Sequence, residues 1–162
     1  MGGAVLGLLG YEINVIALNH KDKRINNFFI QRRTSKNMHV IPLGSAIKKS
    51  LYVLQNGEIL ALLGDRDFSK NGIKVDFFGR PAVVPKGPAV LKLKSGCPLI
   101  LVFVIRDSDG GFTMYFEDPD GLKDEVFSEE AVARITSSIM KIFEKYIRKY
   151  PTQWYVFRRV WS

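Results

Sequence analysis

One cysteine and two histidines among 162 residues leave little material for thiol or metal chemistry. A single thiol builds neither a disulfide framework nor a cysteine-rich metal centre. Cys97 stands before Pro98 and an apolar run, so it reads as a buried structural thiol, in keeping with a reducing compartment. His20 and His39 have no second His or Cys at ligand spacing, and no metal site is expected. No run of about 18 apolar residues is present, so nothing here reads as a bilayer-spanning helix. The small, apolar opening Gly2–Gly10 has no basic flank or cleavage site and is not read as a signal peptide. None of the serines sits in a Gly-x-Ser-x-Gly elbow, and no glycine-rich phosphate loop follows a strand. Repeats and low-complexity linkers are also lacking, and the chain is read as one domain over residues 1–162.

What is present begins with charge. The formal net charge is +8. The basic residues Lys21, Lys23, Arg24, Arg32, Arg33, Lys36, Lys48 and Lys49 fall in one stretch in which Asp22 is the only acid. Such a field draws nucleic acid, anionic lipid head groups or an acidic protein, and it also serves plain solubility. No nucleic-acid-recognition motif accompanies it, so no nucleic-acid partner is expected. Phe28 and Phe29 share helical spacing with Ile25, which predicts core residues rather than base-stacking platforms.

Strand and helix signals alternate. Ala4 to Leu9 resembles the end of a helix stopped by Gly10. Glu12–Leu18 and His39–Leu43 read as strands around a helix from Asp22 to about Arg33. Ser45 is positioned to cap a helix that Gly57 ends. Glu58–Leu63 is the clearest strand and runs into Gly64, Asp65, Arg66 and Asp67. An apolar segment follows at Val75–Phe78, then a helix at Gly87–Lys94 with Pro88 in its first turn. Leu99–Ile105 reads as a buried strand and Phe112–Glu117 as a half-exposed one. Ser128 opens the longest helix, whose apolar face carries Val132, Ile135, Ile139, Ile142, Phe143 and Tyr146, and Pro151 ends it. This alternation predicts an α/β domain, with a mixed, largely parallel sheet flanked by helices.

In such folds functional groups gather where strands end, which points to the loop after Leu63. Asp65 and Asp67 around Arg66 can hold an arginine, orient a hydroxyl or bind a cation; the same residues also make an ordinary turn. Arg32 and Arg33 at a helix end suit forked recognition of phosphate, or simply favour the helix dipole.

Several segments in order carry a resemblance. They are Gly57-Glu58 leading to Gly64-Asp65-Arg66-Asp67; Gly72 and Val75 leading to Phe77-Phe78-Gly79-Arg80-Pro81; Gly87-Pro88-Ala89; and Gly96-Cys97-Pro98 with the strand after it. Tyr150-Pro151-Thr152-Gln153-Trp154 and Arg158-Arg159 close the series. Together they resemble the bacterial lipid A (lauroyl or myristoyl) acyltransferase family of the lysophospholipid acyltransferase superfamily. The resemblance implies the glycerolipid acyltransferase fold. It also implies transfer of an acyl chain from acyl carrier protein to a hydroxyl of a phosphorylated glucosamine lipid, at the cytoplasmic face of the bacterial inner membrane. No cofactor beyond the thioester donor is implied. By resemblance, Arg32 contacts phosphate and Asp65 orients it or the substrate, with Arg33 and Asp67 as neighbours in substrate binding. Arg66 departs from the glutamine or histidine common in relatives, and Thr152 and Tyr155-Val156-Phe157 depart as well.

The family's general base is a histidine in a His-x4-Asp or His-x4-Glu motif. The position after four intervening residues is Ile25 for His20 and Gly44 for His39, so neither histidine completes the motif. Met1-Gly2-Gly3 looks like the residues that follow it. The expectation is therefore the C-terminal portion of a longer family member, without the anchor and the base. Two further readings stay open: a lysophospholipid or mannosylated inositol lipid as acceptor, and a non-catalytic protein that binds anionic lipid.

Overall fold

The computed structural model describes residues 2–43, 46–65, 71–119, 126–157 and 160–161. The chain forms two compact units, Met1–Leu63 and Gly64–Ser162.

In the first unit helices and strands alternate: α1 (Gly2–Leu8), β1 (Ile13–Ala17), α2 (Lys23–Thr34), β2 (Met38–Pro42), α3 (Ala46–Gln55) and β3 (Ile59–Ala61). The three strands form a parallel sheet in the order β2-β1-β3. Ile13 is opposite Met38 on one side and Ile59 on the other. Parallel strands need crossovers, and α2 and α3 supply them. Ile13, at the centre, is fully buried, with Met38, Ile41 and Val53 also in the core. Asn14 is a buried polar residue on the same strand. Its side-chain amide donates to Glu58 Oε2 at 3.0 Å and to the Ile59 carbonyl at 3.4 Å, which ties the start of β3 to the central strand. α1 packs closely on the turn before β2. A Cβ added at Gly7 would lie 1.8 Å from the Lys36 carbonyl oxygen, so only glycine fits.

The second unit pairs two hairpins with two helices. β4 (Ile73–Phe77) and β5 (Arg80–Val84) are antiparallel, as are β6 (Leu101–Arg106) and β7 (Phe112–Glu117). α4 (Gly87–Ser95) and the long α5 (Glu129–Lys149) complete it. Burial alternates along β4 and β5, with Val75, Phe77, Ala82 and Val84 inward. They meet Val132, Ile135, Ile139 and Met140 of α5 in one core cluster. The Ser128 side chain accepts from Ala131 N–H at 3.0 Å, the N-cap expected there.

The α/β class holds, with the parallel sheet first and the antiparallel pairs after it. Three expectations are corrected. Ile25, Phe28 and Phe29 are not core: they are 48%, 51% and 39% exposed, and α2 buries no residue. Leu99–Ile105 is not a buried strand. β6 begins at Leu101 and has β7 as its strand partner, with Leu101 and Ile105 inward while Ile100 and Val102 are exposed. Cys97 is half-buried. Strand β5 was not anticipated, because Arg80-Pro81 opens it and Val83 faces solvent. The Ser45 cap lies outside the described residues.

Candidate functional site

Arg32 and Arg33 occupy the last turn of α2, where cations complement the helix dipole. The Arg32 guanidinium lies 5.2 Å from the Phe28 ring centroid and that of Arg33 5.7 Å from Phe29, one helical turn back in each case. Ser35 Oγ donates to the Arg32 carbonyl at 3.2 Å and Thr34 Oγ1 to Ile30 at 3.1 Å, so side chains satisfy the closing carbonyls. Thr34 ends α2 and Met38 begins β2. Both arginines therefore lie toward the edge at which the parallel strands start.

At the opposite edge β1 leads into Leu18, Asn19 and His20. The His20 N–H donates to Asn26 Oδ1 at 3.0 Å, and its ring stacks on Phe29 at 4.8 Å. The histidine is thus held by a helix that also carries the arginines. His39 is exposed on β2, opposite Asn14.

Asp65 follows β3 in the chain and belongs to the second unit, where it is half-buried. Its neighbour Gly64 faces α5: a Cβ there would touch the Phe143 ring at 3.5 Å. Asp67, Arg66, Arg158 and Arg159 lie outside the described residues. Among the described residues no group of three His, Cys, Asp or Glu side chains is arranged to hold a metal ion, and no helix is long and apolar enough to cross a membrane.

The motif segments of the second unit have definite structural duties. Phe77 pairs with Arg80, leaving Phe78-Gly79 as a two-residue loop with φ of 58° and 72°. Positive φ at both positions is the type I′ hairpin turn, which a phenylalanine adopts only at a cost. Two contacts compensate. The Phe78 N–H donates to Glu144 Oε1 at 2.7 Å, and Arg148 both pairs with Glu144 and lies 4.9 Å from the Phe78 ring centroid. Gln153 binds the edge of β6 through both ends of its amide. It accepts from the Arg106 N–H at 2.8 Å and donates to the Arg106 carbonyl at 2.9 Å. Trp154 meets Phe77 edge-on, and the Trp161 indole donates to the Phe77 carbonyl at 2.8 Å.

One polar cluster went unanticipated. Glu117 at the end of β7 accepts from Lys145 at 2.8 Å and from the Tyr146 hydroxyl at 2.6 Å. Those donors, Lys145 first, hold its carboxyl below the usual range. Burial, then the bond to Glu117, pushes the Tyr146 phenol up. Close by, Tyr115 hydrogen-bonds Tyr150, which raises the first phenol and lowers the second, and Lys149 lowers Tyr150 further. Beside Tyr150 an open depression of about 600 Å³ is lined by Arg106, Asp107, Ser108, Thr152 and Tyr155 among others. Glu117 and its partners on α5 are 28 and 29 residues apart, and no local pattern signals such a pairing.

A parallel βαβ sheet followed by two antiparallel hairpins and a long helix makes this an α/β protein whose motif residues cluster at turns and strand ends. Residues 1–162 match the bacterial lipid A biosynthesis acyltransferase family, and the chain belongs to it. A phosphatidylinositol mannoside acyltransferase of Mycobacterium tuberculosis is 28% identical over 153 residues, covering 90% of this chain and 46% of that protein. One from Mycolicibacterium smegmatis is 28% identical over 150 residues, covering 90% and 47%. The chain therefore spans about half the length of the curated relatives it matches.

Proposed function

We propose that this chain forms part of an acyltransferase that moves a fatty acyl chain from acyl carrier protein to a hydroxyl of a phosphorylated glucosamine lipid. The family match along the whole chain carries this reading. In the reaction the acceptor hydroxyl loses its proton to a base and attacks the thioester carbonyl; the carrier thiol leaves as the ester forms. Arg32 and Arg33 suit the acceptor phosphate, since a guanidinium presents a fork of donors to it. Asp65, with Asp67 beside it, has the orienting role that a carboxylate can fill for a cation or hydroxyl. The general base is not among the histidines of this chain. The acceptor and donor are both anionic, in accord with the charge of +8. The place of the reaction is the cytoplasmic face of the bacterial inner membrane, and no cofactor beyond the thioester takes part.

A mannosylated inositol lipid is the second reading of the acceptor, favoured by the names of the relatives. Deletion of the coding gene, followed by mass spectrometry of extracted lipid, separates the two. A species lighter by one acyl chain accumulates, and the lipid on which it appears identifies the acceptor. Complementation with Asp65→Ala leaves that species in place. An unchanged lipid profile in the deletion strain overturns the proposal.

A further inference from the structure

The sequence pattern of α2 predicts a buried apolar face, yet the helix buries no residue. At 100° per residue, Ile25, Phe28, Phe29 and Arg32 fall within an arc of about 100°. All four are exposed. Arg33 flanks this arc, and His20 stacks on it from the preceding loop. Apolar side chains, arginines and an imidazole are thus held together on the outside of a helix. Among the described residues neither arginine has a carboxylate partner. Asp22, the lone acid of this stretch, is engaged at the other end of the helix, where it accepts from Arg24 N–H at 2.7 Å and Ile25 N–H at 3.3 Å.

We infer that this face of α2 is a docking surface for a membrane rich in anionic lipid. The inference rests on the lipid-substrate reading for its choice of occupant, and on chemistry for the rest. Phenylalanine and isoleucine enter the boundary between head groups and acyl chains, while arginines meet the phosphates just above. Arg32 over Phe28 and Arg33 over Phe29 keep the cations beside the apolar residues they would accompany. Nucleic acid fits less well, because base stacking needs an open ring face. Here His20 stacks on Phe29, while Arg33 and Arg32 lie over Phe29 and Phe28. An acidic carrier protein would engage the arginines and leave Ile25 and the two rings in water.

Co-sedimentation of the 162-residue chain with vesicles tests it. One set is phosphatidylcholine alone, and the other is phosphatidylcholine mixed with phosphatidylglycerol. The chain binds the mixed vesicles and binds the neutral ones much more weakly. Arg32→Gln with Arg33→Gln lowers affinity about 25-fold, roughly fivefold per charge removed. Phe28→Ser with Phe29→Ser lowers it at least about tenfold at unchanged charge. Arg32 and both phenylalanines are exposed and Arg33 is half-buried; far-UV circular dichroism verifies that α2 persists, and Ile25→Asn provides a third variant with the same expected direction. Wild-type binding by the phenylalanine variants overturns the inference, as does capture of acyl carrier protein or RNA but not of vesicles. Vesicle binding requires no turnover. An unchanged lipid profile in the deletion strain therefore removes the acyltransferase reading while this binding stands, and the reverse outcome removes only the surface.

Discussion

Gly7 and Gln153 show how single side chains, or their absence, hold each unit. At Gly7 the backbone of Lys36 fills the space a Cβ needs, and the Asn37 side-chain amide donates to the Gly7 carbonyl at 3.2 Å. Alanine forces α1 away from the β2 turn. Gly7→Ala is expected to lower stability by about 3 kcal/mol, the upper range for overpacking; an unchanged urea midpoint would refute the close approach. Gln153 pairs with both backbone groups of Arg106, as a neighbouring strand does. Two exposed hydrogen bonds contribute about 1–2 kcal/mol together, and Gln153→Ala should lose that amount in thermal denaturation. Gln153→Glu fares no better, because a carboxylate at pH 7 accepts from the N–H but gives the carbonyl no donor.

Among the elements, β7 and α5 are joined by the Glu117, Lys145 and Tyr146 cluster. A carboxyl whose folded pKa lies below its unfolded value stabilises the fold above the unfolded value, near pH 4.3, and loses that contribution as pH falls through the folded pKa. Wild type should therefore melt above Glu117→Gln at neutral pH, and the gap should close in acid. A gap independent of pH would show that the ionised carboxylate is not what matters. The α5 stripe was readable from its spacing, since Val132, Ile135 and Ile139 recur at helical intervals and all are buried. The same rule failed on α2. Periodicity records which residues share a face, but not whether another element covers it. β5 escaped for a related reason: proline at its second position and an exposed valine masked an alternation that pairing with β4 makes plain.

At the scale of the whole molecule, the proposed acyl transfer turns on a general base. Neither histidine is followed, after four residues, by an acid, and His20 is stacked on Phe29. General-base loss costs about 10²–10⁴-fold. The purified 162-residue chain, given acyl carrier protein thioester and acceptor lipid, is expected to form no product above the uncatalysed background. Robust turnover abolished by Asp65→Ala would contradict this. The candidate site was legible only in part. Arg32, Arg33 and Asp65 were visible as residue types at helix and strand ends. The sequence did not show that the arginines lie toward the edge where the parallel strands start, because that depends on the path α2 takes back along the sheet.

The sequence alone determined the α/β class and the cap and face of α5, because these depend on local propensity and spacing. It also determined the charge and the absence of a completed His-x4-acid motif, which are matters of composition. Tertiary structure decided the rest: the exposure of Phe28 and Phe29, the left-handed Phe78 turn held by Glu144, and the Gln153 tie to Arg106. Each depends on groups dozens of residues apart, or on whether another element packs nearby, and no local pattern encodes either.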